Sequence, residues 1–154
     1  MLTNDERKVL KETRDDLKRI LRRIESTLVI DETSNYDEME DKSKNEAYVV
    51  TQYLMKLGVP ASVTGFGYIK SGVLYLLKEE KNKRVLVTKE LYPKIAEEHN
   101  CTPQKVERAI RTAIKKAEDT YTEELDMLLY GREDLKLTNS DFLTMVTEMI
   151  RMEL

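Results

Sequence analysis

Apolar residues recur at helical spacing along most of this chain. The period is helical over residues 1–30 and almost throughout from residue 47 to the end. Turn-forming groups, including Gly58-Val59-Pro60 and Asn100-Cys101-Thr102-Pro103, separate the helical segments. Beyond residue 47 the pattern predicts six helices, over residues 47–56, 64–80, 88–98, 103–118, 123–130 and 139–152, with a basic connector at 81–87. We therefore predict an all-α fold, in which a compact six-helix domain is preceded by an N-terminal amphipathic helix.

The first thirty residues predict an exposed helix with one apolar stripe. Thr3 or Asn4 is a suitable N-cap, and Arg14 interrupts the stripe. A lone helix of this length is marginal in water, so the stripe needs a partner. It can fold onto its own domain, pair with a second copy as a coiled-coil-like dimer, or dock on another protein. We favour self-association over intramolecular packing. The predicted dimer residues are Leu10, Leu17, Leu21, Ile24 and Leu28.

Charge is distributed unevenly along the chain. The total of 29 acidic and 26 basic residues gives a net charge of −3, which by itself argues against nucleic acid. Residues 1–30 hold eight basic and six acidic residues, residues 31–46 hold two and seven, and residues 47–154 hold sixteen of each. The negative excess therefore lies in residues 31–46, which lack apolar periodicity and predict a flexible, solvated acidic linker. The chain divides into a helix at 1–30, this linker, and a folded domain at 47–154.

Several classes of protein are excluded by composition. One Cys, no Trp, five Gly and three Pro do not fit a disulfide scaffold or a collagen-like fibre. No apolar run is long enough to span a membrane. The N-terminus lacks the basic-then-apolar order of a signal peptide, so we expect a cytoplasmic protein without membrane contact.

The chain shows no pattern of a catalytic or metal site. His99 and Cys101 lie two residues apart, but there is no second His, and a structural role at a helix corner is the better interpretation. One His and one Cys cannot fill a tetrahedral metal shell. Gly65 and Gly67 lack dinucleotide-binding spacing, and the backbone at this helix start is placed to meet a phosphate. We therefore expect no enzyme, no catalytic residue, no metal and no cofactor.

Residues 91–114 meet the requirements of a helix-turn-helix. Ala96 is small enough for the place where the two helices touch, and Asn100 tolerates a left-handed backbone at the turn. Thr102 and Pro103 supply the cap and the stiff first residue of the second helix. Apolar residues then return to the core at 3.6-residue spacing: Val106, Ile110, Ala113 and Ile114.

The opposite face of that second helix is cationic, because residues 104–116 hold five basic residues and one acidic residue. Arg forks onto guanine, Glu accepts from cytosine and Gln pairs with adenine. An exposed helix can carry such residues without binding DNA, but a cationic face in a neutral domain favours double-stranded DNA. We predict that the N-terminal half of helix 103–118 enters the major groove. The predicted base-contacting residues are Gln104, Glu107, Arg108 and Arg111, and Lys115 and Lys116 are placed for phosphates.

Short collinear pieces of residues 48–154 form a recognisable set: Leu57-Gly-Val-Pro-Ala61, Thr64-Gly-Phe-Gly-Tyr-Ile69, Thr88-Lys-Glu-Leu-Tyr-Pro-Lys-Ile-Ala96, Val106-Glu-Arg-Ala-Ile-Arg111, Thr138-Asn-Ser-Asp-Phe-Leu143 and Met145-Val146. Through these pieces residues 48–154 resemble the C-terminal DNA-binding domain of the stage-zero sporulation protein A family. The resemblance implies a six-helix transcription factor that binds a short DNA box, often with copies in tandem on one duplex.

The resemblance also implies roles for individual residues. In the family a Glu and two Arg contact the bases, and these positions match Glu107, Arg108 and Arg111. Lys105 stands where the family usually has Arg, and Thr112 where a His is common. Because Lys keeps the charge without the two-pronged geometry, we assign Lys105 to a phosphate or flanking contact. We assign Thr112 to the same group of contacts. The segment from Glu124 to Gly131 resembles the region that contacts RNA polymerase sigma factor in the family.

The family also carries a phosphoacceptor receiver domain in front of this domain. Thirty helical residues cannot form its parallel sheet, so no residue here is assigned as phosphoacceptor. We therefore expect a phosphorylation-independent, nucleoid-associated transcriptional regulator of the response-regulator effector type. We expect its N-terminal helix to form a homodimer or to bind another protein. The alternative is a partner-binding modulator that uses the N-terminal helix to dimerise with or antagonise another regulator.

Overall fold

The computed structural model describes residues 1–28, 35–129 and 136–154. For residues 25–28 and 35–40 it describes the backbone alone. The described ranges contain no β-strand, which confirms the predicted all-α fold. The seven α-helices of these ranges are α1 Asn4–Leu28, α2 Asn35–Lys56, α3 Thr64–Lys78, α4 Tyr92–Glu98, α5 Pro103–Thr120, α6 Glu123–Leu128 and α7 Asn139–Glu153, and a π-helical turn spans Val87–Leu91. The chain forms two compact units, Met1–Glu40 and Asp41–Leu154.

The N-terminal helix α1 begins with Thr3 as its N-cap, one of the two predicted caps, and Glu6 completes a capping box that was not predicted. The Thr3 N–H donates to Glu6 Oε2 at 2.8 Å, and the Glu6 N–H donates to Thr3 Oγ1 at 3.2 Å. The described apolar side chains of the stripe, together with Val9 and Ile20, are between 49% and 59% exposed. The stripe therefore remains uncovered in the structure. Leu28 is the last residue of α1, and its side chain lies outside the described set.

Helix α2 begins at Asn35, whereas the sequence predicts a helix only from residue 47. The flexible linker expected over residues 31–46 is therefore wrong for residues 35–46, and residues 31–34 lie outside the described ranges. No Gly or Pro interrupts residues 35–46, so the helix that is anchored by the apolar residues after 47 continues backward at little cost. Residues 41–45 are exposed, as expected for a charged segment.

Helix α3 lies at the centre of the second unit and packs against both α5 and α7. The core around it is formed by fully buried side chains such as Leu54, Ile69, Ile110 and Phe142. The start of α3 approaches α5 very closely: a Cβ built on Gly65 would lie 2.1 Å from the Ala109 carbonyl oxygen. The interpretation of this backbone as a phosphate contact is therefore wrong at Gly65, because α5 occupies the space there, whereas Gly67 has no heavy atom within 4 Å of a built Cβ.

The C-terminus of α3 is held by Arg151 of α7. Its Nη2 donates to the carbonyl oxygens of Leu76 at 2.6 Å and Glu79 at 3.1 Å, and its Nη1 donates to Glu148 Oε1 at 2.8 Å. These carbonyls belong to the last turn of α3 and the residue that follows it, and the Leu76 carbonyl also accepts from the Glu79 N–H at 3.2 Å. Arg151 therefore fastens α7 to the end of the central helix.

The predicted helix 88–98 is divided in the structure into the π turn and α4. Pro93 explains the division, because it has no N–H and its ring would clash with the carbonyl four residues earlier. The preceding turn is wider, and the Leu91 N–H donates to the Leu86 carbonyl five residues back at 3.3 Å. Helix α6 ends at Leu128, and the predicted stop at residues 130–131 lies outside the described ranges.

Candidate nucleic-acid interface

The corner between α4 and α5 has the local structure that its sequence predicts. Asn100 has φ 51°, the left-handed conformation expected at the turn. The Cys101 N–H donates to the Ala96 carbonyl at 2.9 Å, and the His99 N–H donates to the Ile95 carbonyl at 3.0 Å. Ala96 is buried where the two helices meet. These bonds close α4 and turn the chain toward α5.

Helix α5 begins at this corner with the predicted cap. Thr102 is extended and its Oγ1 accepts from the Lys105 N–H at 3.2 Å, while Pro103 occupies the first turn. The buried face of α5 is the predicted one, comprising Val106, Ile110, Ala113 and Ile114, with Ala117 in addition. Because this face is fixed in the core, the opposite face has a defined direction toward solvent.

The predicted DNA-contacting residues all lie on that solvent side of α5. Glu107 is partly covered, and the exposed ones are Gln104, Lys105, Arg108, Arg111, Thr112, Lys115 and Lys116. Arg111 pairs with Glu107 one turn before it and keeps 73% of its side chain exposed. The Thr112 hydroxyl donates to the Arg108 carbonyl at 3.0 Å. One helix therefore presents a continuous row of candidate base and phosphate contacts.

Asn139 at the start of α7 forms hydrogen bonds with both α4 and α5. Its Nδ2 donates to the Tyr92 hydroxyl at 3.0 Å and to the Glu107 carbonyl oxygen at 3.0 Å. Burial raises the pKa of Tyr92, and the bond from Asn139 opposes that rise. Sequence reasoning assigned no role to Asn139 or Tyr92, although both fall in the segments that match the family.

An open cleft of ≈ 940 Å³ runs along one edge of α5. Its walls come from the π turn, from α5 and from the segment that begins α7, and four cations line it: Lys89, Arg111, Lys115 and Lys136. Sequence analysis did not find this cleft. Lys89 and Lys136 lie in segments far apart in the chain, and only the tertiary fold brings them to the same edge of α5.

His99 and Cys101 contact α3 at the outside of the corner. His99 Nε2 lies 2.8 Å from Ser71 Oγ, and its ring meets that of Tyr68 edge-on with centroids 4.9 Å apart. A hydrogen bond with the Cys101 thiol raises the pKa of Tyr68, with burial as the next cause. Both residues therefore support the packing of α3 on the corner. In the described ranges no three His, Cys, Asp or Glu side chains form a group suited to a metal ion.

A capped corner, a buried second-helix face and a cationic solvent face define a helix-turn-helix DNA-binding domain. The family model described as "Sporulation initiation factor Spo0A C terminal" matches residues 50–150, about two thirds of the chain. The chain belongs to this family and carries the DNA-binding effector domain of a sporulation transcription regulator, a transcription-factor domain and not a known enzymatic one. The match confirms the resemblance found in the sequence. No helix in the described ranges has the length and apolarity that a membrane crossing requires.

Proposed function

We propose that this chain is a sequence-specific transcriptional regulator that binds a short DNA box with α5 in the major groove, without requiring phosphorylation. One observation carries the proposal: all four candidate base-contacting side chains point away from a helix face that is locked in the core. Rotation of α5 would expose its buried face, so the exposed positions of Arg108 and Arg111 are fixed, which supports a role in the groove. We expect this activity in the cytoplasm, at the nucleoid.

The contacts follow from the chemistry of each side chain. Arg108 and Arg111 present forked donors to guanine, Glu107 accepts from cytosine and Gln104 pairs with adenine. The ion pair between the exposed Arg111 and the partly covered Glu107 is open to solvent and weak, so both side chains can exchange it for bases. The remaining residues contact phosphates or flanking positions: Lys105, Thr112, Lys115 and Lys116. For Thr112 this requires its hydroxyl to leave the Arg108 carbonyl.

A titration of the full-length protein against its selected box tests this assignment. Arg108→Ala and Arg111→Ala should each cost about 1–3 kcal/mol of binding and weaken base preference at one position. Lys56→Ala is the matched control, because Lys56 is an exposed cation at the end of α2 and lies outside α5. Wild-type affinity and preference in both arginine variants would refute the proposed contacts.

The exposed stripe of α1 favours self-association through a second copy. Two flanks of opposite charge border the stripe over residues 5–18. On a helical wheel Arg7, Lys11 and Lys18 lie on one side, together with Asp15, which pairs with Arg14, and Asp5, Glu12 and Asp16 lie on the other. In a parallel pair the basic flank of each copy faces the acidic flank of the other, whereas an antiparallel pair places like charges together. We therefore propose a parallel homodimer.

A glutamate in the middle of the stripe tests this pairing. Leu17→Glu in the full chain should shift sedimentation from dimer to monomer, because the dimer would bury a charge without a partner. Lys8→Glu, which changes a charge on the opposite side of α1, should leave the dimer intact. Sedimentation of the wild-type chain as a monomer at high concentration would exclude self-pairing.

The second candidate function is a modulator that grips another regulator through α1, and the same uncovered stripe is the observation that favours it. It predicts that the chain forms a mixed complex with that regulator, and that Leu17→Glu abolishes this complex while single-box DNA binding remains.

A role in activation would use α6, which lies in the segment similar to the sigma-contact region and in which Met127 is 71% exposed. Met127→Ala should then reduce transcription without changing DNA affinity.

A further inference from the structure

The cleft beside α5 contains cations that the helix-turn-helix itself does not provide. Lys89 comes from the π turn and Lys136 from the segment before α7, and both side chains are exposed. Within the described ranges neither lysine takes part in an ion pair. Nothing in the described structure explains why two such lysines converge on the edge of the base-contacting helix.

The local charge of the cleft is positive although the domain as a whole is neutral. Four cations line it, against two carboxylates, Glu107 and Glu118. Glu107 is already paired with Arg111, so Glu118 is the one acidic group of the cleft without a cation bonded to it in the described structure. An excess of exposed cations along an edge is the surface that a phosphate backbone binds.

The position of the cleft matches the path of a DNA strand. When a second helix occupies the major groove, the first helix of the motif crosses the adjacent backbone. Tyr92, the first residue of α4, also lines the cleft, so the start of the first helix and the edge of α5 border the same space. A backbone that borders the groove therefore passes over Lys89, and Lys136 lies in the same cleft.

We propose that Lys89 and Lys136 bind the phosphate backbone of the duplex whose bases α5 contacts. This inference rests on the proposed function, since it requires α5 to lie in the major groove. The two lysines position the protein along the strand and add affinity for any sequence, whereas Arg108 and Arg111 supply the preference for a box. The phosphate contacts thus extend beyond the helix-turn-helix to the π turn and the approach to α7.

The salt dependence of binding separates this role from base contact. Each lost phosphate contact should reduce the slope of log affinity against log salt by about 0.9, so between 50 and 200 mM salt each variant should lose about 3.5-fold less affinity than the wild type. We expect this reduction in Lys89→Ala and in Lys136→Ala, with equal weakening on box and non-box DNA. Lys89→Arg should keep the wild-type slope, since it keeps the charge. Glu118→Gln should strengthen binding to non-box DNA.

Lys56→Ala is the control, because it removes an exposed cation that does not line the cleft. Wild-type slopes in Lys89→Ala and Lys136→Ala would overturn the inference. If Arg108→Ala still loses base preference in that case, the proposed function stands and this inference alone has failed. If the arginine variants also behave as wild type, the docking of α5 is wrong as well. Thermal unfolding of each lysine variant should match the wild type, because both side chains are exposed.

Discussion

Two glycines in the first turn of α3 provide a matched pair of substitutions, Gly65→Ala and Gly67→Ala. A Cβ on Gly65 would lie 2.1 Å from the Ala109 carbonyl oxygen and 2.8 Å from the Ala113 Cβ, closer than real Cβ atoms approach. A Cβ on Gly67 would meet no heavy atom within 4 Å. The same chemical change, two residues apart, is therefore expected to have opposite effects on stability.

The magnitudes follow from packing and helix propensity. Gly65→Ala forces α3 and α5 apart, and overpacking of this kind costs about 1–3 kcal/mol of unfolding free energy. Gly67→Ala adds no clash and removes backbone freedom from the unfolded chain, which stabilises the helix by about 0.5–1 kcal/mol. For a folded unit of the size of Asp41–Leu154 each kcal/mol corresponds to about 4 °C in Tm. Because Ala109 follows Arg108 in α5, Gly65→Ala should also weaken binding to the box.

Urea unfolding followed by far-UV circular dichroism measures both variants, with a DNA titration on the folded fraction. We expect Gly65→Ala to unfold at lower urea than the wild type and Gly67→Ala at higher urea. Equal midpoints for Gly65→Ala and the wild type would refute the close packing of α3 on α5. A loss of stability in Gly67→Ala would show that its surroundings are not open.

The remaining predictions concern the bonds that hold α7. Asn139→Ala removes the donor to Tyr92 and to the α5 backbone and should cost about 1–3 kcal/mol of unfolding free energy. A double-mutant cycle with Tyr92→Phe should show coupling between the two residues. Strict additivity of the two losses would contradict the hydrogen bond. Arg151→Ala should cost about 1.5–3 kcal/mol of unfolding free energy because it removes the charged donor to the Leu76 and Glu79 carbonyls. Arg151→Lys should recover part of the loss in the same thermal unfolding assay. Folding raises the pKa of Tyr92, because burial disfavours its charged form. Neutral Tyr92 therefore adds to the free energy of unfolding below its unfolded pKa, and this stabilisation is lost as pH rises above about 10. Tyr92→Phe should flatten that alkaline loss of stability.

Local chemistry made part of this structure predictable. The corner at Asn100, the cap at Thr102 and the buried face of α5 depend on residues only a few positions apart, so spacing alone identifies them. The break before α4 could also have been predicted from Pro93, because a proline disfavours a regular α-helical turn before it. The family match then confirmed the domain that these local features indicated.

The rest depended on neighbours that a single sequence does not reveal. Residues 35–46 are helical because a helix that is anchored by later residues extends through them, although their own pattern lacks an apolar face. Gly65 suggested a phosphate contact until the fold placed Ala109 against it. Lys89 and Lys136 share a cleft only through the packing of the π turn and the start of α7 beside α5. Such long-range contacts have no signal in local periodicity.

The central claim is that α5 selects a DNA box through Arg108 and Arg111. DNA selection from a random library, performed in parallel with the wild-type chain and with Arg108→Ala, tests it most directly. We predict that the wild type enriches a short box containing guanines and that the variant loses preference at one position while keeping the others. The same box in both selections, or no enriched box for the wild type, would contradict the claim.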